Sequence, residues 1–148
     1  MSGWLYQTSS SGQPGLIGRK PAYNSTHGWE VELKGYTTAK VRGASAADNR
    51  TYGMTLHTKQ NTWAHLVFVY NNTTVSVYTN GTFCGSRTIA TPTDNGLPLF
   101  LGRRGKEDES AAYIRGYFDE FRLKDGVPCA EWIKAEYDSM ESDNFITY

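Results

Sequence analysis

The chain has 148 residues, with fifteen Lys and Arg against fifteen Asp and Glu, a length that suits one domain burying roughly 70% of its unfolded surface. Balanced charge supplies no field to gather nucleic acid or an anionic membrane, and no apolar run approaches the ~20 residues of a membrane span. Aromatics at 14% and fifteen glycines, among many Thr, Ser and Asn, favour short strands and tight turns over helices. In chain order, strands are predicted at residues 4–8, 16–20, 29–33, 39–42, 52–57 and 63–70. The last of these, WAHLVFVY, is a near-continuous apolar run and reads as a central strand. Asn71-Asn72 turns the chain into residues 74–79. Asn80-Gly81 turns it again into residues 82–89, because Asn-Gly accepts the positive φ angles of a type I′ hairpin. These three strands make a meander, and further strands are predicted at 98–102 and 113–123. Residues 130–140 break the pattern with a helical stripe of Trp132, Ile133, Tyr137 and Met140, opposite Glu131, Lys134 and Asp138. Linkers and fixed-period repeats are absent, so residues 1–148 read as one all-β domain with one short C-terminal α-helix.

Within this frame the chemistry-bearing residues are few. Glu30 and Glu32 share one strand face in WEVEL, roughly 6.5–7 Å apart by strand rise, which is near a glycosidase carboxylate pair. The plainer reading buries Trp29, Val31 and Leu33 and leaves both glutamates in water. His27, His57 and His65 sit in no HExxH pattern, and no Gly-x-Ser-x-Gly elbow or phosphate-binding glycine loop occurs. Cys84 and Cys129 lack CxxC spacing; two separate thiols and a Cys84–Cys129 disulfide both stay open. Five Asn-x-Ser/Thr sequons, at Asn24, Asn49, Asn71, Asn72 and Asn80, are explained as well by turn chemistry as by glycosylation. Trp4, Trp29, Trp63 and Trp132 fall on faces that read as core.

Candidate ligand contacts are residues that offer an aromatic face or a planar polar group at a strand end or loop. Tyr36, Tyr52 and Tyr113 meet that description, as do Arg103, Arg104 and Asp108 of the loop Gly-Arg-Arg-Gly-Lys-Glu-Asp-Glu-Ser. Asp119 poses a separate question. Strict alternation in YFDEFRL places it on one face with Tyr117, Phe121 and Leu123, where a carboxylate needs a partner. Backbone N–H donors, a cation, or simple exposure at an edge each answer it.

The succession WAHLVFVYNNTTVSVYTNG, DNGLPLFLGRR and GYFDEFRLKDGVPCAEWIKAEYDSM resembles the laminin-G-like, concanavalin A-like lectin and glucanase superfamily over nearly the whole chain. The resemblance implies a two-sheet antiparallel β-sandwich of jelly-roll type. It also implies an extracellular or cell-surface location within a larger exported protein, whose signal would lie outside this chain. A non-catalytic module binding carbohydrate or another surface ligand is the function it favours. Glucanases of this fold carry a Glu-x-Asp-x-x-Glu type motif, and Glu30 and Glu32 supply only part of it. Members often hold one calcium ion, for which Asp119, with Asp94 and Asn95, is the candidate ligand set. Members also begin with a strand that this chain lacks before Ser2-Gly3-Trp4, which would leave an edge open to a second copy or a strand-donating partner.

Overall fold

The computed structural model describes residues 1–9, 12–21, 25–44, 53–103 and 113–141. Ten strands and one helix follow in order: β1 (Ser2–Ser9), β2 (Gly15–Gly18), β3 (Glu30–Lys34), β4 (Thr38–Arg42), β5 (Met54–Thr55), β6 (Trp63–Asn71), β7 (Thr74–Thr79), β8 (Thr82–Thr88), β9 (Phe100–Leu101), β10 (Arg115–Arg122) and α1 (Ala130–Glu141). They form two five-stranded antiparallel sheets, β10-β1-β6-β7-β8 (sheet A) and β5-β4-β3-β2-β9 (sheet B). Alternation builds the core between them. Leu5, Leu66, Phe68, Val75 and Val77 face inward from sheet A and meet Ile17, Val31, Leu33, Ala39 and Val41 from sheet B. The predicted meander is β6-β7-β8, and its second turn has Asn80 at φ 51° and Gly81 at φ 72°, the left-handed pair that a type I′ hairpin requires.

The odd-numbered residues of β6 face outward, and α1 covers His65, Val67 and Val69 of them. Ile133, fully buried, packs on Val67 and Val69 beside Tyr78. The stripe of α1 that faces the sheet is Ile133, which is buried, with Glu136 and Tyr137 partly buried beside it, not the expected run through Trp132. That residue is 56% exposed, with the Lys124 ammonium over its ring. Its place against the sheet goes to Glu136, a carboxylate that packs there because Ser2 Oγ (3.0 Å) and Arg122 (3.1 Å) both donate to it.

The edge strand β10 corrects a second expectation. Its register slips between Trp4↔Asp119 and Ser2↔Arg122, and Glu120 has a φ of 49°. One extra residue therefore sits on β10, a β-bulge that resets the alternation. Phe118 and Phe121 both pack on the core, while Asp119 is exposed, its Oδ1 accepting a hydrogen bond from the Glu120 N–H at 2.8 Å. Among the described residues β10 has a neighbour on one side only. A cleft of about 660 Å³, lined by Met1, Phe68, Val75, Ile89 and Trp132, opens nearby at the end of the sandwich. Cys84 and Cys129 are separate thiols.

Candidate functional site

Sheet B places a row of charge on its outer face. Because Val31 and Leu33 point into the core, Glu30 and Glu32 must point out, and the hairpin pairs them with Arg42 and Lys40 respectively. They are not in water: side-chain exposure is 3% for Glu30, none for Glu32 and 5% for Arg42. Arg42 Nη1 donates to Glu30 Oε1 at 2.6 Å and also to Glu32 Oε2, so one guanidinium nitrogen bridges two carboxylates. Lys40 donates to Gln13, and buried Lys20 donates to the carbonyls of Ser25 (2.6 Å) and Gly43 (2.5 Å). The signal lay in the hairpin sequence itself, Glu30-x-Glu32 turning into Lys40-x-Arg42, which is cross-strand charge complementarity.

The row continues across the sheet. Glu30 stands opposite Gly18, and Gly18 stands opposite Phe100. A Cβ on Gly18 would lie 2.7 Å from the Glu30 backbone and side chain, so only glycine leaves room for strand β3 to close on β2. Beyond Phe100, Arg103 and Tyr113 form an isolated bridge. The Arg103 guanidinium carbon sits 4.6 Å from the Phe100 ring centre and 5.5 Å from that of Tyr113. Two residues picked from sequence as ligand contacts, Arg103 and Tyr113, are thus brought together, and Tyr113 is 43% exposed. Tyr36 is not with them: it lies in the turn at the far end of the β3–β4 hairpin, its carbonyl accepting from Thr58. Tyr52, Arg104 and Asp108 lie outside the described residues.

The candidate calcium ligands do not converge. Asp94 lies in the loop before β9 and pairs with Arg19 at 2.6 Å, and it accepts from the Gly96 N–H at 3.0 Å. That N–H, then the Arg19 charge, hold its carboxyl below the usual carboxylate range. Asn95 donates to the Arg19 carbonyl and accepts from Leu97 N–H. Asp119 belongs to the outer face of the other sheet, opposite Trp4. Among the described residues no three His, Cys, Asp or Glu side chains gather as metal ligands. These three residues therefore do not fit a shared calcium shell.

The family model for the concanavalin A-like lectin/glucanases superfamily matches residues 1–134. The chain belongs to this family. Its concanavalin A-like fold recurs in solved structures at low identity. A candidate carbohydrate-binding protein of Bacteroides ovatus shares 13% identity, with 90% of this chain and 38% of that chain covered, at a TM-score of 0.69. The CBM40 of a Ruminococcus gnavus IT-sialidase, bound to alpha2,3 sialyllactose, shares 11%, with 92% and 80% covered and a TM-score of 0.69. Domain 4 of AbnA, an extracellular arabinanase of Geobacillus stearothermophilus, in complex with arabinotriose, shares 18%, with 90% and 63% covered and a TM-score of 0.63. At these identities the likeness is one of concanavalin A-like fold, and the chain spans well under half of the Bacteroides protein. No curated protein matches the chain.

Proposed function

We propose that this concanavalin A-like domain is a non-catalytic glycan-binding module of an exported protein, with its ligand on the outer face of sheet B beside Phe100, Arg103 and Tyr113. The observation that carries the reading is the Arg103 guanidinium held against two aromatic rings, next to a row of carboxylates and cations. The exposed Tyr113 ring offers a face to sugar C–H groups and the Arg103 guanidinium a planar donor to hydroxyls, while the buried carboxylates and cations of the row hold the sheet beneath them. Family membership and neighbours described as carbohydrate binders support it. Glu30 and Glu32 both spend an oxygen on one Arg42 nitrogen, which suits a fixed charge cluster better than a paired acid and nucleophile. A glycan array probed with the wild type and with Arg103→Ala and Tyr113→Ala tests the reading: shared loss of signal is expected, and unchanged profiles would refute it. Reducing-sugar release that disappears in Glu30→Gln or Glu32→Gln would overturn the non-catalytic part.

A second reading, adhesion by strand addition, is favoured by β10, which among the described residues pairs on one side only. Light scattering that shows association rising with concentration would support it, and a constant monomer mass would remove it.

A further inference from the structure

The outer face of sheet A is only half covered by α1. On the uncovered half, Tyr6 of β1 lies opposite both Tyr117 of β10 and Trp63 of β6. Three aromatic side chains from three adjacent strands thus form one row across the sheet. Ring centres are 5.5 Å apart for Tyr6–Trp63 and 5.9 Å for Tyr6–Tyr117. Tyr117 is 64% exposed and Trp63 41%, although Trp63 reads as core in the sequence. Single exposed aromatics are ordinary, whereas a contiguous row marks a surface that takes something.

The polar groups around the row say what. Arg115 and Asp119 stand two residues to either side of Tyr117 on the same strand face, each roughly 7 Å away along the strand, and both are exposed. A carboxylate and a guanidinium of opposite sign cancel, so the row has no net attraction for a polyanion or a polycation. An apolar strand or helix laid over it would desolvate both charges without pairing them. A neutral sugar fits: its C–H face lies on Tyr117 or Trp63, and its hydroxyls donate to Asp119 and accept from Arg115. The rings tilt by 60° and 54° to their neighbours. They make a corrugated surface suited to a single soluble chain whose successive sugar rings turn, not a flat one matching a crystalline face.

We infer that Tyr6, Trp63, Tyr117, Arg115 and Asp119 form a second glycan site, for pyranose rings of a neutral polysaccharide chain. The row lies on sheet A, whereas Arg103 and Tyr113 bridge beyond the β9 edge of sheet B, so the two are distinct sets of residues. The inference does not rest on the sheet B reading.

Affinity electrophoresis in native gels containing β-glucan, arabinan, galactan, xyloglucan or mannan tests it. At least one polysaccharide is expected to retard the wild type, and Tyr117→Ala and Asp119→Ala each weaken that by about tenfold, near 1.4 kcal/mol, with no change in melting temperature. Tyr117→Phe keeps the stacking face and retains binding, and Tyr113→Ala leaves retardation through this row in place. Equal retardation of Tyr117→Ala and wild type, or no retardation by any of the five, overturns the proposal. So does binding seen only after residues 142–148 are deleted, which would make the row a seat for the chain's own C-terminus. Dimerisation abolished by Tyr117→Ala would assign the row to a second copy instead.

Discussion

Phe118 and Phe121 stand three residues apart on β10, yet both pack on the core with their rings edge-on, centres 6.5 Å apart. The bulge at Glu120 makes this possible, and Gly3 makes room for it, since a Cβ there would come within 2.9 Å of the Phe121 ring. Glu120 at φ 49° is strained for a residue with a side chain and more so for a β-branched one. Glu120→Val is therefore expected to cost about 1–2 kcal/mol in urea unfolding. Glu120→Gly, which sheds the strain and one exposed pair with Arg122, stays within about 1 kcal/mol of wild type. Equal stability of the Val variant would mean that the bulge does not form.

The docking of α1 rests on Ile133 and not on its tryptophan. Ile133 has no exposed surface, so Ile133→Ala removes a buried side chain against Val67 and Val69 and should cost about 2–5 kcal/mol. Trp132→Ala removes a half-exposed ring and a cation–π contact with Lys124, a loss nearer 1 kcal/mol. Chemical denaturation of the two variants, read side by side, checks the order; a larger loss for Trp132→Ala would put that ring against the sheet.

Most of the architecture was legible where local pattern and turn chemistry agree. The β6-β7-β8 meander follows from an apolar run, an alternating strand and Asn80-Gly81, and the structure keeps residues 63–88 in that order. The face of Asp119 was not legible, because a bulge is a one-residue slip that reverses every side chain beyond it and leaves no mark in composition. Burial of Glu30 and Glu32 was missed because the cover over an outer sheet face is set by distant segments. The row Tyr6–Trp63–Tyr117 needs the strand order β10-β1-β6, which joins the two ends of the chain to its middle. Arg103 and Tyr113 were picked because loop aromatics and cations at a strand end are a local signal, but their contact across the isolated bridge was not legible in the sequence.

His65 ties stability to pH. It is 1% exposed beneath α1, with Trp4 at 5.3 Å and Tyr137 at 6.3 Å between ring centres, and its Nδ1 has no partner among the described residues. Burial pushes its pKa below 6.5; Glu136 opposes the shift and Arg122 adds to it. The native state thus holds His65 neutral, while the unfolded chain takes up a proton near 6.5. This contribution is fully present above that value and is lost as pH falls below it, by at most about 1.4 kcal/mol per pH unit until the native group also titrates. Urea midpoints measured from neutral to mildly acidic pH should fall for wild type and flatten in His65→Leu. Equal slopes would remove His65 as the cause.

Calcium offers a direct check on the loop before β9. Asp94 is already neutralised by Arg19, and Asp119 lies on the other sheet. Excess chelator and added calcium are both expected to leave the melting temperature unchanged. A rise with calcium that follows the ligand-linkage relation would place an ion at Asp94 and require Arg19 to move.

Arg42 and Lys134 allow the same interaction to be compared at two depths. The Arg42 pairs with Glu30 and Glu32 have almost no exposure, whereas in the Lys134–Asp138 pair on α1 the side chains are 54% and 37% exposed. Removing the cation from the buried cluster leaves two carboxylates without their shared guanidinium, a loss of about 3–5 kcal/mol. Removing Lys134 leaves a carboxylate that water solvates, a loss of about 0.5 kcal/mol or less. Urea unfolding of Arg42→Ala and Lys134→Ala should therefore differ by several kcal/mol. A small loss for Arg42→Ala would mean that water reaches the outer face of sheet B, and Glu30 and Glu32 would then be open to a ligand directly.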